Sequence, residues 1–181
     1  MSQRNSGYAR VADDLYETPA WVTTALRPHM QNKGWTYIWE PACGNGSMSA
    51  VLETWEGCRV SLSDKRRGKD FLKTDVSQSR VDWVITNPPY DQAETFIDHA
   101  LDAVAARDGR VAMLLRADFD SAKSRQRLFG RCPFFAKKLV LTSRIRWFPN
   151  TTGSPSFNHA WFIWDLKHDE LGGARLVYHE R

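Results

Sequence analysis

The sequence feature that most restricts the fold is a nearly continuous apolar run, VDWVITN, over residues 81–87. A short run of this kind, without strict alternation of polar and apolar side chains, is typical of a strand buried on both faces of a sheet. Residues 93–104 then carry apolar side chains at helical intervals, which predicts a helix after the strand. A strand followed by a packed helix indicates a parallel sheet covered by helices.

The same alternation of strand and helix patterns continues along the chain. Strands are predicted over residues 36–42, 58–64, 81–87, 110–116, 137–145 and 159–166. Helices are predicted with Thr18 as N-cap and Pro19 as first helical residue, then over residues 47–56, 93–104 and around 120–130. Only a loop separates the last two strands, so we expect them to pair antiparallel. The whole pattern predicts a doubly wound α/β domain.

Length and composition fit one such domain. The chain has 181 residues, of which 42% are hydrophobic and 25% are charged, and its formal net charge is +4. We expect a flexible N-terminal segment at 1–14, the folded domain at 15–166 and a C-terminal extension at 167–181. The positive charge permits a polyanionic partner without requiring one.

The sequence also argues against several classes of protein. Its apolar runs are shorter than the roughly 18 to 20 residues that span a bilayer, and the N-terminus lacks the apolar core of a secretory signal. The three cysteines, Cys43, Cys58 and Cys132, form no CxxC pair and lie in no histidine cluster. We therefore expect no disulfide framework, no metal and no membrane association, and a cytoplasmic location.

A tetrapeptide, Asn87-Pro88-Pro89-Tyr90, follows directly on the buried strand. Open α/β sheets place their ligand crevice at the carboxyl ends of such strands. Two prolines fix the backbone and remove two N–H donors, so the Asn87 amide oxygen and the Pro88 carbonyl oxygen can both accept from a substrate NH2 group. Tyr90 offers a flat face beside them. The alternative is a turn that only ends the strand.

A second motif, Glu40-Pro41-Ala42-Cys43-Gly44-Asn45-Gly46, lies at the end of the first strand. Its glycines let the backbone approach a ligand closely, and a predicted helix follows. A dinucleotide fingerprint would need a third glycine where Ser49 stands, so pyrophosphate binding is the weaker interpretation. Asp64 ends the second strand, where a carboxylate can accept hydrogen bonds from ribose hydroxyls.

These motifs, in this order, resemble the S-adenosylmethionine-dependent amino-methyltransferases with an NPPY motif. The closest similarity is to DNA adenine-N6 methyltransferases in which the cofactor motif precedes the catalytic motif. The resemblance covers residues 15–166 and rests on Tyr16-x-Thr18-Pro19, the Glu40–Gly46 motif, Asp64, Asp70-Phe71 and the tetrapeptide. It implies a Rossmann-like, mostly parallel seven-stranded sheet with an antiparallel hairpin at one edge. The compact chain without a target-recognition domain resembles phage or prophage forms.

The resemblance also implies roles for individual residues. Asn87, Pro88, Pro89 and Tyr90 would form the catalytic motif, with Tyr90 stacking on a flipped base. S-adenosylmethionine would lie against these residues: Tyr16, Thr18, Pro19, Glu40, Pro41, Ala42, Cys43, Gly44, Gly46, Asp64, Asp70, Phe71 and Asn87. Within that set, Glu40 would face the methionine end, Asp64 the ribose and Asp70 the adenine amino group.

The substrate implied is adenine in DNA, recognised with low or short sequence specificity. Contact with nucleic acid is expected from three basic clusters and from aromatic residues of the loop before the last predicted strand. The residues are Arg66, Arg67, Lys123, Arg125, Arg127, Arg144, Arg146, Trp147 and Phe148, with Phe157 as another candidate for the second aromatic wall.

Other functions share parts of this pattern. The tetrapeptide also suits adenine in RNA, the N4 amine of cytosine in DNA and the amide of a protein glutamine, because each presents a planar NH2 group. A nucleic-acid-binding module on a degenerate methyltransferase fold is the non-enzymatic alternative, and it predicts broken motifs. A Rossmann dehydrogenase is disfavoured by the missing third glycine.

Overall fold

A computed structural model describes residues 16–30, 34–148, 155–168 and 173–180. Within these ranges the α-helices are α1 (Ala20–Leu26), α2 (Ser47–Leu52) and α3 (Ala93–Val104). The strands are β1 (Thr36–Glu40), β2 (Cys58–Leu62), β3 (Trp83–Thr86), β4 (Arg110–Arg116), β5 (Phe135–Leu141), β6 (His159–Asp165) and β7 (Arg175–His179). Residues 1–14, expected to be flexible, lie outside the described residues.

The strands form one sheet in the order β2-β1-β3-β4-β6-β5-β7. The first four in this order are parallel neighbours, whereas β6 runs antiparallel to both β4 and β5. From β1 the chain moves to β2 on one side and then crosses to β3 on the other. A crevice therefore opens between the carboxyl ends of β1 and β3, where the strand order reverses.

The predicted doubly wound sheet, mostly parallel with an antiparallel pair, is confirmed. The antiparallel hairpin is not at the sheet edge, however, because β7 pairs parallel with β5 and lies outside it. The sheet thus continues into the segment expected as a C-terminal extension. Residues 175–179 escaped the strand prediction because their side chains are mostly exposed and form no buried apolar run.

Two local predictions about helices are wrong. Around residues 120–130 the chain forms short 3₁₀ turns rather than an α-helix. Side chains compete for the backbone carbonyls there: Arg125 Nη1 donates to Phe119 O (3.1 Å), and Trp164 Nε1 donates to Leu128 O (2.7 Å). At α1, Pro19 occupies the N-cap position and no side chain caps the helix, so Thr18 is not the cap.

Apolar side chains form a core on each face of the sheet. Helix α3 packs on one face, where Phe96 and Ile97 meet Val111 and Met113 of β4. Helices α1 and α2 cover the other face, where Leu26 and Leu52 pack with the sheet. Strand β6 is buried on both faces, so its tryptophans divide between the two cores: Trp164 lies in the first and Trp161 in the second. Along the described ranges, no helix has the length and apolar character needed to cross a membrane.

Gly109, just before β4, lies close to the backbone of Asp82, just before β3. A Cβ added there would lie 2.6 Å from the Asp82 carbonyl oxygen, which accepts a hydrogen bond from Arg110 N at 2.8 Å. We expect Gly109→Ala to lower the free energy of unfolding by about 1–3 kcal/mol, because the obstructing atom is backbone that cannot rotate away. Chemical denaturation measures this loss.

Gly130 provides a matched control. Its added Cβ would also lie 2.6 Å from an oxygen, but that oxygen is Oε1 at the end of the Gln126 side chain, which can move. Gly130→Ala should therefore cost much less than Gly109→Ala. Equal losses in the two variants would contradict the explanation.

Candidate active site

The carboxyl ends of β1, β2 and β3 border a cavity of about 540 Å³. Ligand cavities typically have volumes of about 300–1,000 Å³. Most residues predicted to hold a cofactor lie in its wall: Tyr16, Thr18, Glu40, Pro41, Ala42, Cys43, Gly44, Asp64, Asp70, Phe71 and Asn87. Pro19 and Gly46 are not in the wall. Of the tetrapeptide, Asn87 and Pro89 line the cavity, whereas Pro88 and Tyr90 do not.

Asp64 joins the first two strand ends. One carboxylate oxygen accepts from Gly44 N (2.8 Å), and the other accepts from Arg66 N (2.8 Å) and Arg66 Nε (3.3 Å). Burial alone would raise the pKa of Asp64, but these backbone N–H groups and the Arg66 guanidinium outweigh it and lower the pKa. The carboxylate is therefore ionised and only 10% exposed, with acceptor capacity left for a ligand.

Glu40 lies at the base of the same cavity and is 2% exposed. It accepts a short hydrogen bond from the Ser49 hydroxyl, the residue that stands where a dinucleotide motif would have glycine. Burial, together with the negative charges of Asp64 and Glu53, raises the pKa of Glu40 to about 7. A cationic ligand group placed beside Glu40 would favour its ionised form.

The segment before α1 reaches across the cavity to the glycine motif. The Glu17 carboxylate accepts from Asn45 Nδ2 and from Ser47 Oγ (2.8 Å), and these bonds lower its pKa. Glu17, Asn45 and Ser47 all line the cavity, and none of them was among the expected site residues. Glu17 lies about 30 residues before Ser47 in the chain, so no local sequence pattern could have revealed this contact.

The side-chain amide of Asn87 is oriented by one hydrogen bond, and its oxygen has no partner among the described residues. Its Nδ2 donates to the carbonyl oxygen of Tyr16 (3.2 Å), which assigns the orientation of the amide. Its Oδ1 is buried and has no hydrogen-bond partner among the described residues. A buried acceptor without a partner costs about 1–3 kcal/mol. The site thus holds a preoriented carbonyl oxygen that a ligand donor could satisfy.

Phe71 and Asp70 form another part of the wall. The Phe71 ring is 2% exposed and packs edge-on against Trp39, with 5.0 Å between ring centroids. Asp70 accepts from Leu72 N (3.2 Å) and begins a 3₁₀ turn. Phe71 is therefore mainly a core residue, although it also lines the cavity.

Tyr90 of the tetrapeptide belongs to a cluster of aromatic side chains. Tyr90 Oη and His159 Nε2 share a hydrogen bond of 3.1 Å, and Trp147 packs edge-on against the His159 ring at 5.2 Å. Tyr16 in turn contacts Trp147 (5.5 Å) and Phe148 (5.9 Å). We refer to Tyr16, Tyr90, Trp147, Phe148 and His159 as the aromatic cluster. His159 belongs to none of the sequence motifs and was not among the expected site residues.

Of the three candidates for a second aromatic wall, two belong to this cluster. Trp147 and Phe148 both contact Tyr16, whose carbonyl holds the Asn87 amide. Phe157 instead lies under the Arg116 guanidinium, 4.1 Å from the ring centroid.

The basic residues expected at a nucleic-acid surface have different surroundings. Arg66 and Arg67 contact the glycine motif region, through Asp64 and through Gly44 O (3.1 Å) respectively. Arg125 and Arg127 form ion pairs with acids of α3, at 2.9 Å to Glu94 and 2.6 Å to Asp98.

The remaining basic residues are Lys123, Arg144 and Arg146. Arg144 binds Asn158 Oδ1 (2.9 Å) and the Pro155 carbonyl oxygen (3.1 Å), while Lys123 and Arg146 are exposed. Much of the predicted basic surface therefore has local structural partners. Among the residues that the structure describes, no group of three or more His, Cys, Asp or Glu side chains is arranged to hold a metal ion.

Several solved structures with a similar fold are described as methyltransferases. The type I restriction–modification methyltransferase subunit from Streptococcus thermophilus matches with a TM-score of 0.56 and 12% identity, over 81% of this chain and 42% of that one. A protein assigned to the class I S-adenosylmethionine-dependent methyltransferases of Listeria monocytogenes matches with a TM-score of 0.58 and 14% identity, over 87% and 62% respectively. A protein from Agrobacterium tumefaciens assigned as an O-methyltransferase matches with a TM-score of 0.57 and 16% identity, over 90% of this chain and 85% of that one.

These similarities establish a Rossmann-like methyltransferase fold. The chain spans less than half of the length of the Streptococcus subunit and less than two thirds of the Listeria protein. No protein-family model matches the sequence, and no curated protein matches it significantly.

The buried acid Glu40 should make stability depend on pH. Its folded-state pKa of about 7 lies above the ordinary value of 4.5, so its contribution to stability is complete below pH 4.5 and is lost as the pH rises through 7. Glu40→Gln should remove this loss, which amounts to about 2–4 kcal/mol. The measurement is the free energy of unfolding of both proteins between pH 4.5 and 8.

Glu56 is a suitable control because it is an exposed carboxyl outside the cavity wall. Glu56→Gln should retain the pH dependence of the wild type. If Glu40→Gln shows the same slope as the wild type, Glu40 is not the buried acid responsible.

Proposed function

We propose that the protein is an S-adenosylmethionine-dependent methyltransferase that methylates the N6 amine of adenine in DNA, with low or short sequence specificity. The observation that carries the proposal is the buried Asn87 Oδ1, which has no partner among the described residues although its amide nitrogen is bonded to Tyr16 O. An exocyclic amine is the kind of donor that would satisfy this oxygen beside a ligand cavity.

The residues of the cavity fit the proposed cofactor. A ribose has two neighbouring hydroxyl donors, and Asp64 is an ionised, mostly buried carboxylate with remaining acceptor capacity. The methionine end carries positive charge, and Glu40 is the buried acid that such charge would ionise. Residues of the glycine motif and Glu17 also line this cavity, and Asn45 donates to the Glu17 carboxylate.

When bound, S-adenosylmethionine supplies an activated methyl group on a sulfonium. The adenine amine is a weak nucleophile because its lone pair is delocalised into the ring. Asn87 Oδ1 and the Pro88 carbonyl oxygen would accept hydrogen bonds from the two N–H groups of this amine. These hydrogen bonds would favour a pyramidal nitrogen with a localised lone pair. These fixed acceptors would also stabilise the positive charge that develops on that nitrogen. Holding the nitrogen in line with the methyl group would further lower the activation barrier.

The choice of DNA rests on the sequence resemblance, on the net charge of +4, and on the restriction–modification methyltransferase subunit among the similar folds. The aromatic cluster supports a flat heterocyclic target, since Tyr90, Trp147 and Phe148 offer ring surfaces near Asn87. The direct test incubates the protein with labelled cofactor and separate pools of duplex DNA, single-stranded DNA, RNA and protein. Nucleoside analysis should recover N6-methyladenine from DNA. Label recovered only from RNA, cytosine or protein would refute the substrate assignment.

Asn87 should act mainly in the transition state. We expect Asn87→Ala to lower kcat by about two orders of magnitude or more, because a preorganised acceptor for developing charge is lost, while cofactor affinity changes little. Asn87→Asp loses the N–H that bonds to Tyr16 O but keeps an oxygen acceptor, so it should lose less activity than Asn87→Ala. Single-turnover methylation, measured beside a melting curve, tests both variants. A normally folded Asn87→Ala protein with wild-type rate would rule out the mechanism.

Asp64 should act on cofactor binding. Asp64→Ala should weaken the binding of S-adenosylmethionine by about 1.5–3 kcal/mol, the usual range for hydrogen bonds to a charged group. Titration calorimetry measures the affinity directly. Asp75→Ala serves as control, since Asp75 is an exposed acid that binds Ser77 N and lies outside the cavity wall. Equal affinities of the Asp64 and Asp75 variants would remove Asp64 from the site.

A further inference from the structure

We propose that His159 is a positioning residue that holds the Tyr90 ring in the orientation needed to stack on the target base. The inference rests on the proposed function, in which a flipped base lies against Tyr90. It adds a residue from the neighbouring strand β6 that none of the sequence motifs contains.

The sheet topology brings His159 to the site. Parallel strands β1, β3 and β4 deliver their carboxyl ends to the cavity edge, but the antiparallel strand β6 delivers its amino end. His159 is the first residue of β6 and lies opposite Arg116, the last residue of β4. His159 at the start of β6 therefore meets Tyr90, which follows β3.

The contacts of His159 restrain the Tyr90 ring. Nε2 and the Tyr90 hydroxyl are 3.1 Å apart, and the two rings are nearly parallel, with an interplanar angle of 26° and a centroid distance of 6.4 Å. Trp147 packs edge-on against the imidazole ring, with 5.2 Å between the ring centroids. Rotation of the Tyr90 side chain away from this orientation would break the hydrogen bond.

The imidazole is suited to this role because it is buried and neutral. His159 is 2% exposed, and burial lowers its pKa to about 4. The neighbouring charges of Arg116 and Asp118 act on it in opposite directions. A neutral ring carries one donor and one acceptor, so it can share a hydrogen bond with a hydroxyl without placing a charge in the core. His159 thus lacks the basicity expected of a general base near neutral pH.

The bond can be tested by removing either partner. Tyr90→Phe deletes the hydroxyl, His159→Leu deletes the ring nitrogens, and His159→Gln keeps an amide that can bond to the hydroxyl. Tyr90→Phe and His159→Leu should each lower kcat/KM for the nucleic acid by about 3- to 12-fold, the value of one hydrogen bond, with cofactor affinity unchanged. His159→Gln should recover part of this loss.

The double variant separates positioning from independent effects. If the two residues act through one bond, Tyr90→Phe combined with His159→Leu should be no worse than either single change. Multiplied losses, or wild-type kcat/KM in Tyr90→Phe, would overturn the inference while leaving methylation itself established. If His159→Leu fails to fold, Tyr90→Phe and His159→Gln still provide the comparison.

A readout without substrate keeps the inference testable if no nucleic acid is methylated. The ¹⁵N resonances of the His159 imidazole respond to hydrogen bonding at each ring nitrogen. In the wild-type protein they should report a neutral ring, and Tyr90→Phe should shift the Nε2 resonance. An unshifted resonance would overturn the pairing. Absence of methylation together with a shifted resonance would instead count against the proposed function alone.

Discussion

The parallel pairing of β1 with both β2 and β3 is the constraint on which the site depends. Ile38 of β1 lies opposite Val60 on one side and Trp83 on the other, so three strand ends are held at one level. Every group at that edge is placed by this register, because a shift by one residue would turn each strand's inward side chains to the opposite face. The burial of β3 on both faces stabilises the register through both cores.

Within this frame, the polar groups at the strand ends are not fully satisfied by one another. Asp64 is held ionised by Gly44 and Arg66, whereas Glu40, only a strand away, is pushed towards neutrality by burial. Asn87 keeps a buried oxygen without a partner among the described residues. A ligand that bonds to these groups would offset such costs.

The antiparallel strand β6 gives the site its second side. It lies between β4 and β5, and its amino end supplies His159 while the loop before it supplies Trp147 and Phe148. These side chains meet Tyr16 from the segment before α1, whose carbonyl orients Asn87. Tyr16 therefore links the two sides of the proposed site: its ring contacts the aromatic cluster, and its carbonyl oxygen holds Asn87.

The sequence by itself determined the strand–helix alternation, the doubly wound sheet and the two motifs at its edge, because short buried strands and glycine or proline turns have local signatures. Only the tertiary structure decided which side chains face each other: Glu17 with Asn45, Asn87 with Tyr16, and Tyr90 with His159. It also turned Arg125 towards α3, where local sequence could only show a basic cluster. Contacts between residues 28 to 71 positions apart depend on strand order and register. A periodic pattern within one strand or helix carries no information about either.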